Sequence, residues 1–527
     1  MMRKHGSLVA LAALCATPAL AAGDPTVAVE GGKLAGTVDE RDASIRSFRG
    51  VPFAAPPVGD LRWREPQPVA PWSGVRPVKS FAARCMQLPL YSDMMFRSPG
   101  VSEDCLYLNV WTPAALDRPA RTKLPVLVYV YGGGFQAGDG SEKRYDGAAV
   151  AKRGIVVVTM NYRLGVFGSM AHPELTAQSP HRASGNYGLL DQAAAIAWVK
   201  RNVAAFGGDP ARITIAGESA GSMSVSALMA SPLSRGNIAG AIGESGAVLQ
   251  SRTPPTLAQS EVMGAAFAQR IGAPTLVALR ALPAERLLEQ QRTARDLPSN
   301  AIIDGYFMTE PPAVTFESGQ AAKVPLLVGS NSQEAAGTSI VGDAPPTVAS
   351  YRAGLAQRFG DRADALFALY PAATDAEVMP AATALASDAF LGLPTWKWFD
   401  LHRRTDAPTF YYLYTRVRPR ALADTSNGPM PIGAVHSAEI EYALGNLDAN
   451  PLYAWTDADR TVSATMSGYF ANFIKTGNPN GAGLPRWERA PASGDAIARQ
   501  VIDVETRSVP FVEQRRYVAA EPLLSMR

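Results

Sequence analysis

The stretch Ile213-Thr214-Ile215-Ala216-Gly217-Glu218-Ser219-Ala220-Gly221-Ser222-Met223-Ser224-Val225-Ser226-Ala227-Leu228-Met229 decides the fold. Ile213 to Ala216 is an apolar run that reads as a strand, and Ser222 to Met229 is compatible with a helix. Between them there is room only for a tight turn of the form G-x-S-x-G, with Ser219 at its apex. The pattern alone is weak: with 46 glycines in 527 residues, chance supplies roughly 0.3 matches in a chain this long. The flanking strand and helix give it weight. A turn this abrupt forces the serine into a strained backbone, the glycines leave room for neighbouring chain, and the hydroxyl is held out at the end of a sheet. The helix N-terminus beneath adds partial positive charge where an oxyanion would form.

The same alternation continues on both sides. Val126 to Tyr131 and Ile155 to Met160 are continuous apolar runs, as expected of strands buried on both faces of a parallel sheet. Leu190, Ala193, Ala194, Ala197 and Trp198 follow helical spacing, and Gly207-Gly208-Asp209-Pro210 ends that segment. Val324 to Val328 and Phe410 to Tyr414 read as later strands. The stretches at about 251–300 and 345–400 are Ala-rich and helical, and are expected to roof one end of the sheet. Strands alternating with helices predict a wound α/β architecture, here one large domain over residues 23–527 with helical insertions over the end that carries Ser219.

Tyr131-Gly132-Gly133-Gly134-Phe135 follows the first of these strands directly. Three glycines let backbone approach a substrate and turn its N–H groups toward it. Gly133, Gly134 and Ala220 are therefore the expected oxyanion donors, each worth about 3 kcal/mol of transition-state stabilisation.

A serine hydroxyl needs a base, and the chain has five histidines. His5 lies in the N-terminal segment, His172 and His181 flank a polar loop, and His402 adjoins Arg403 and Arg404 on what reads as a solvated helix face. His436, in the loop Gly433-Ala434-Val435-His436, remains as the base. The acid that orients it falls between serine and histidine in chain order. Glu334, just past the strand Val324 to Val328, is well placed for this. Asp304, in Ile303-Asp304-Gly305, stays open as the alternative, although Asp-Gly more often marks a turn.

Residues 1–22 read as a secretory signal: Arg3, Lys4 and His5, then the apolar Leu8 to Ala16, then Ala19-Leu20-Ala21 as a small-x-small cleavage pattern. No later run reaches the ~18 apolar residues of a membrane span, so the mature protein is expected to be exported, to the periplasm or beyond the cell. The net charge of +3 includes Arg3 and Lys4; the remainder offers no electrostatic basis for binding nucleic acid or an anionic membrane. Signal removal leaves Cys85 and Cys105, which in an exported chain read as a disulfide. Neither has a second ligand at metal-binding spacing.

Taken together, several segments resemble the type-B carboxylesterase and cholinesterase family over nearly the whole mature chain. These are Glu103-Asp104-Cys105-Leu106-Tyr107-Leu108-Asn109-Val110, Gly185-Asn186-Tyr187-Gly188-Leu189-Leu190-Asp191-Gln192, Phe206-Gly207-Gly208-Asp209-Pro210 leading to Gly217-Glu218-Ser219-Ala220-Gly221, and Thr476-Gly477-Asn478-Pro479-Asn480. The resemblance implies an α/β-hydrolase fold, a Ser219–His436–Glu334 triad, oxyanion donors at Gly133, Gly134 and Ala220, and a Cys85–Cys105 disulfide closing a loop near the site's mouth. It also implies that Glu218, Ser245 and Glu439 buttress the triad. Ala335 departs from the family, which usually has glycine after the acid.

The expected activity is hydrolysis of small-molecule carboxylic esters through an acyl-enzyme, with no metal or organic cofactor. Carbamate or amide hydrolysis on the same triad is the enzymatic alternative. Cholinesterase-like adhesion proteins keep the fold without the nucleophile, whereas Ser219, His436 and Glu334 are all present here. A cholinesterase is disfavoured because residues 86–104 contain Tyr91 and Phe96 but no tryptophan to hold a quaternary ammonium. Met86, Met94 and Met95 in that loop read either as an adaptable apolar lip or as plain packing.

Overall fold

The computed structural model describes residues 24–113, 123–250, 253–292, 297, 301–425 and 430–525. Within them the apolar runs become inner strands of one sheet. Its eleven strands are β1 (Thr37–Val38), β2 (Arg46–Pro52), β3 (Tyr107–Thr112), β4 (Leu124–Val130), β5 (Val156–Met160), β6 (Gly208–Glu218), β7 (Gly240–Glu244), β8 (Leu326–Asn331), β9 (Thr409–Tyr414), β10 (Ala498–Ile502) and β11 (Arg507–Pro510). They lie in the order β11-β10-β9-β8-β7-β6-β4-β5-β3-β2-β1. Pairing is parallel from β10 through β5 and antiparallel at both edges. The inner strands β5, β7 and β8 are buried at every position, because helices cover both faces; this is why they read as unbroken apolar runs.

Two helices position the site. α1 (Tyr187–Asn202) is continued by a 3-10 turn and closed by Gly207 at φ 80°. Its burial departs from the expected stripe. Ala194 and Ala197 are only half-buried, while Ala195, Ile196 and Val199 are fully buried. The N-terminal segment covers the other side of this helix, where the Asn202 side chain accepts from the Glu30 N–H at 2.7 Å. α2 (Ala220–Ala230) is separated from the end of β6 by one residue.

The excursions are helical as expected: α3 (Leu257–Arg270), α4 (Val348–Phe359), α5 (Asp375–Ser387) and α6 (Leu393–Arg403). Threonine capping boxes open the first three, at Thr256, Thr347 and Thr374, each satisfying helix N–H groups that would otherwise lack partners. A π-helical turn, Asp388–Gly392, joins α5 to α6.

His402 corrects the sequence reading. It is 1% exposed rather than on a solvated face, and its Nε2–H donates to the Val324 carbonyl at 2.8 Å. Burial pushes its pKa down to about 4. Asp400 pairs with both Arg403 and Arg404, which draws those charges along the helix and lets the imidazole face inward. The segment read as a secretory signal lies outside the described residues. Among the described residues no helix is long and apolar enough to cross a membrane.

Candidate active site

β6 hands over to α2 through Ser219 alone, at φ 57° and ψ −122°. For a residue with a Cβ such backbone costs about 1–3 kcal/mol and persists only where the surroundings impose it. Here the Ser219 N–H donates to the Glu244 carbonyl at 2.8 Å, and the Ser219 carbonyl accepts from Met223 N–H at 2.9 Å. The turn presses on the end of β4. A Cβ on Gly221 would stand 2.0 Å from the Val130 carbonyl oxygen, and one on Gly217 2.6 Å from the same atom. Both flanking glycines are thus required by close approach.

Three side chains from separate loops meet at this turn. His436 Nε2 lies 2.9 Å from Ser219 Oγ, and its Nδ1 lies 2.7 Å from Glu334 Oε2. The other Glu334 oxygen accepts from the Asn331 N–H at 2.6 Å, so the three residues after β8 form a turn that fixes the carboxylate. Ser332 Oγ accepts from Ala434 N–H, and Gln333 Oε1 from Gly433 N–H, tying the Glu334 turn to the loop that carries His436. Asp304 is not part of this group. Its Oδ1 accepts from the N–H groups of Tyr306 and Met308 within its own turn, the structural role that Asp-Gly suggested.

Behind the serine lies a cluster of buried carboxyls. Glu218 and Glu244 end adjacent parallel strands in register, and both are buried. Glu218 Oε1 is 3.2 Å from His436 Nε2, so this nitrogen faces both a hydroxyl and a carboxyl. Glu439 accepts from Asn331 Nδ2 at 2.5 Å and from Ser245 Oγ at 3.4 Å. Desolvation pushes the Glu218, Glu244 and Glu439 carboxyls above the usual range; neighbouring carboxyls push them further, against an opposing pull from His436 on Glu218 and Glu439. Burial alone would depress the His436 imidazole, but the Glu218 and Glu334 carboxylates outweigh it and raise its pKa. These residues share few charges between them, since several adjacent buried carboxyls cannot all ionise.

The glycine loop after β4 is equally constrained. Gly133 sits at φ 111° and Gly134 at φ 64°, and a Cβ on Gly133 would stand 2.1 Å from the Ala137 carbonyl oxygen. Cys85 and Cys105 form a disulfide, and the loop they close reaches over these glycines. Met94 Cε would be 3.2 Å from a Cβ on Gly133, and the Tyr91 hydroxyl 3.3 Å from one on Gly134. Met86 belongs to the core, whereas Met94 and Met95 are half-buried, so plain packing describes the first, and Met94 lies against the glycine loop. Two contacts went unread in the sequence. Phe390, on the π-helical turn, meets the His436 ring edge-on at 5.7 Å, and no motif marks it. Asn331, which bonds both Glu334 and Glu439, was signalled by its place in the Gly-x-Asn-x-x-Glu run.

Comparison with known proteins places the chain in a family. The model of the carboxylesterase family matches residues 23–515. Fumonisin B1 esterase of Sphingopyxis macrogoltabida is 37% identical over 485 residues, covering 88% of this chain and 84% of that protein. Human carboxylesterase 5A is 31% identical, with 92% and 88% covered. A PNB esterase structure superposes with a TM-score of 0.78 at 31% identity, covering 94% of this chain and 99% of its own. A family match over nearly the whole length, an α/β-hydrolase neighbour covered end to end, and a serine at the strained turn lead to one conclusion: this chain belongs to the carboxylesterase family and is a carboxylic ester hydrolase.

Proposed function

We propose that this chain is an exported serine esterase that works through a Ser219–His436–Glu334 triad. The observation that carries the reading is the placement of one imidazole within hydrogen-bond reach of both Ser219 Oγ and Glu334. Neutral His436 holds its Nδ1–H on Glu334 and accepts from the Ser219 O–H at Nε2. As Ser219 Oγ bonds to the ester carbonyl carbon, its proton passes to Nε2. The N–H groups of Gly133, Gly134 and Ala220 receive the oxyanion, aided by the positive end of α2. The C–O bond to the alcohol then breaks and the alcohol leaves with the Nε2 proton. Water, deprotonated by the same nitrogen, attacks the acyl-serine and releases the acid. Export is supported by the signal-like residues 1–22 and fits a chain with a Cys85–Cys105 disulfide.

The test is release of p-nitrophenol from short-chain nitrophenyl esters by the mature protein and by Ser219→Ala. The expected result is turnover with a burst in the wild type and a loss of several orders of magnitude in the variant. Retained activity in Ser219→Ala, or failure of a phosphonate ester to label Ser219, refutes the assignment.

A further inference from the structure

The loop closed by Cys85 and Cys105 is sewn down rather than hinged. Gln87 exchanges two hydrogen bonds with the Gly138 backbone, at 2.7 and 2.9 Å. Arg97 donates from its backbone N–H to Ser141 Oγ and from Nε to the Ser141 carbonyl, and the Lys143 N–H donates to the Met95 carbonyl at 3.2 Å. Arg144 pairs with Asp93. The same segment, residues 138–146, continues the glycine loop, so Tyr91 and the expected oxyanion donors are held by one frame.

Within that frame the Tyr91 hydroxyl stands over Gly134. A distance of 3.3 Å to a Cβ on that glycine places the phenol oxygen within about 5 Å of the Gly134 Cα, given a C–C bond of about 1.5 Å. Glu218, beside the nucleophile, acts electrostatically on the same hydroxyl. Tyr91 is 46% exposed, and its hydroxyl makes no hydrogen bond to the described residues. A rigidly held donor, open to solvent and unused by the fold, is a group left for a substrate. Desolvation and the charges of Glu218 and Asp93 hold its pKa above the ordinary value, so it remains a donor at alkaline pH.

We infer that Tyr91 is a specificity-determining residue of this esterase: its O–H donates to an acceptor on the acyl chain a few bonds from the scissile carbonyl, favouring alkoxy-, keto- or dicarboxylic acyl groups over plain alkyl ones. A carbonyl oxygen bound by Gly134 N–H brings neighbouring acyl atoms under the phenol. There an ether or carbonyl oxygen replaces the hydrogen bond of the water it displaces from the phenol, whereas a methylene displaces that water and replaces nothing. The inference rests on Ser219 as the nucleophile.

The experiment compares p-nitrophenyl methoxyacetate with p-nitrophenyl butyrate, which differ by one oxygen in place of a methylene, on wild type and Tyr91→Phe. Both esters are assayed on each preparation, so the folded fraction cancels in the ratio of kcat/KM. The expected result is a fall of about five- to tenfold in the methoxyacetate-to-butyrate ratio in Tyr91→Phe, the size of one hydrogen bond. An unchanged ratio, whether both rates fall together or neither moves, overturns the inference and leaves the triad standing. Absence of turnover of both esters by wild type overturns the Ser219 reading and this inference with it.

Discussion

Glu244 offers a sharp test of how the site is assembled. It is 0% exposed, and among the described residues its carboxyl oxygens have no well-formed hydrogen bond, the Tyr129 hydroxyl being the nearby group that eases its burial. Glu218 faces it from β6, Glu439 from the loop behind the triad, Tyr129 from β4 and Tyr412 from β9; no cation is among these neighbours. Such a carboxyl is held neutral, with its pKa well above the ordinary 4.5, because a buried charge without a partner costs far more than a buried acid. An acid whose pKa is raised by folding stabilises the fold fully only below its unfolded value, and that contribution fades as pH rises toward the folded value.

Replacing Glu244 by glutamine removes this penalty. The variant should match the pH trend of wild type below pH 4.5 and gain on it above. At pH 7, about 2.5 units above the unfolded value, the gain can be no more than about 3 kcal/mol at 1.36 kcal/mol per unit. That is a ceiling, because a compact denatured state and coupling to Glu218 and Glu439 both reduce it. At about 2.1 cal/mol/K per residue, 527 residues give ~1.1 kcal/mol/K, so the ceiling corresponds to about 3 °C in Tm. Differential scanning calorimetry of both proteins between pH 4.5 and 9 at one scan rate provides the measurement. The slope with pH carries the test rather than the offset, since a buried amide brings unsatisfied groups of its own. A Tm difference that stays flat across this range, or moves against Glu244→Gln as pH rises, refutes the view that Glu244 is buried as a neutral acid.

Two further outcomes follow from the site. Glu218 and Glu334 raise the His436 pKa, and the base works only when neutral, so the acid limb of kcat/KM should have its midpoint above 6.5. In Glu218→Gln that limb should move down toward 6.5, and a limb that stays in place shows that Glu218 carries no charge beside the imidazole. In Gly133→Ala the new Cβ meets the Ala137 carbonyl at 2.1 Å with φ at 111°, which should rotate the N–H away and lower kcat by about 100-fold or more. A wild-type kcat in that variant removes Gly133 from the oxyanion hole.

What was legible in the sequence was what backbone sterics force into it. The Ser219 turn needs glycine on both sides because Val130 approaches within 2.6 Å of where either Cβ would be, so strand, turn and helix all leave marks. His436, singled out by scarcity, and Glu334, by its place just beyond a strand, come within hydrogen-bond reach of each other. Features made by tertiary contact left no mark. The π-helical turn that brings Phe390 to His436 has no local signature, and Tyr91 reaches Gly134 only through the folding of the whole disulfide loop. His402 misled because its charged neighbours suggested solvent, whereas Asp400 had paired with them. The α1 stripe failed for a related reason: a helix buried on nearly every side has no single apolar face for periodicity to report.

The tripeptide Gly-Glu-Ser occurs twice, at 217–219 and 243–245, and the two copies differ in what their serines face. They end neighbouring parallel strands in register, and both serines take φ 57°. The backbone strain is therefore common to both and does not by itself create a nucleophile. Ser245 is 0% exposed, and its Oγ donates a hydrogen bond to Glu439 Oε1 at 3.4 Å rather than to an imidazole. Ser219 opens a helix, stands half-buried at the site, and faces His436 at 2.9 Å. One turn geometry thus serves two ends: at Ser219 it presents a hydroxyl to an imidazole, and at Ser245 it holds the carboxyl cluster that sets the imidazole's charge. The fold delivers a different partner to each copy, and among the described residues only the first serine has an imidazole within hydrogen-bond reach.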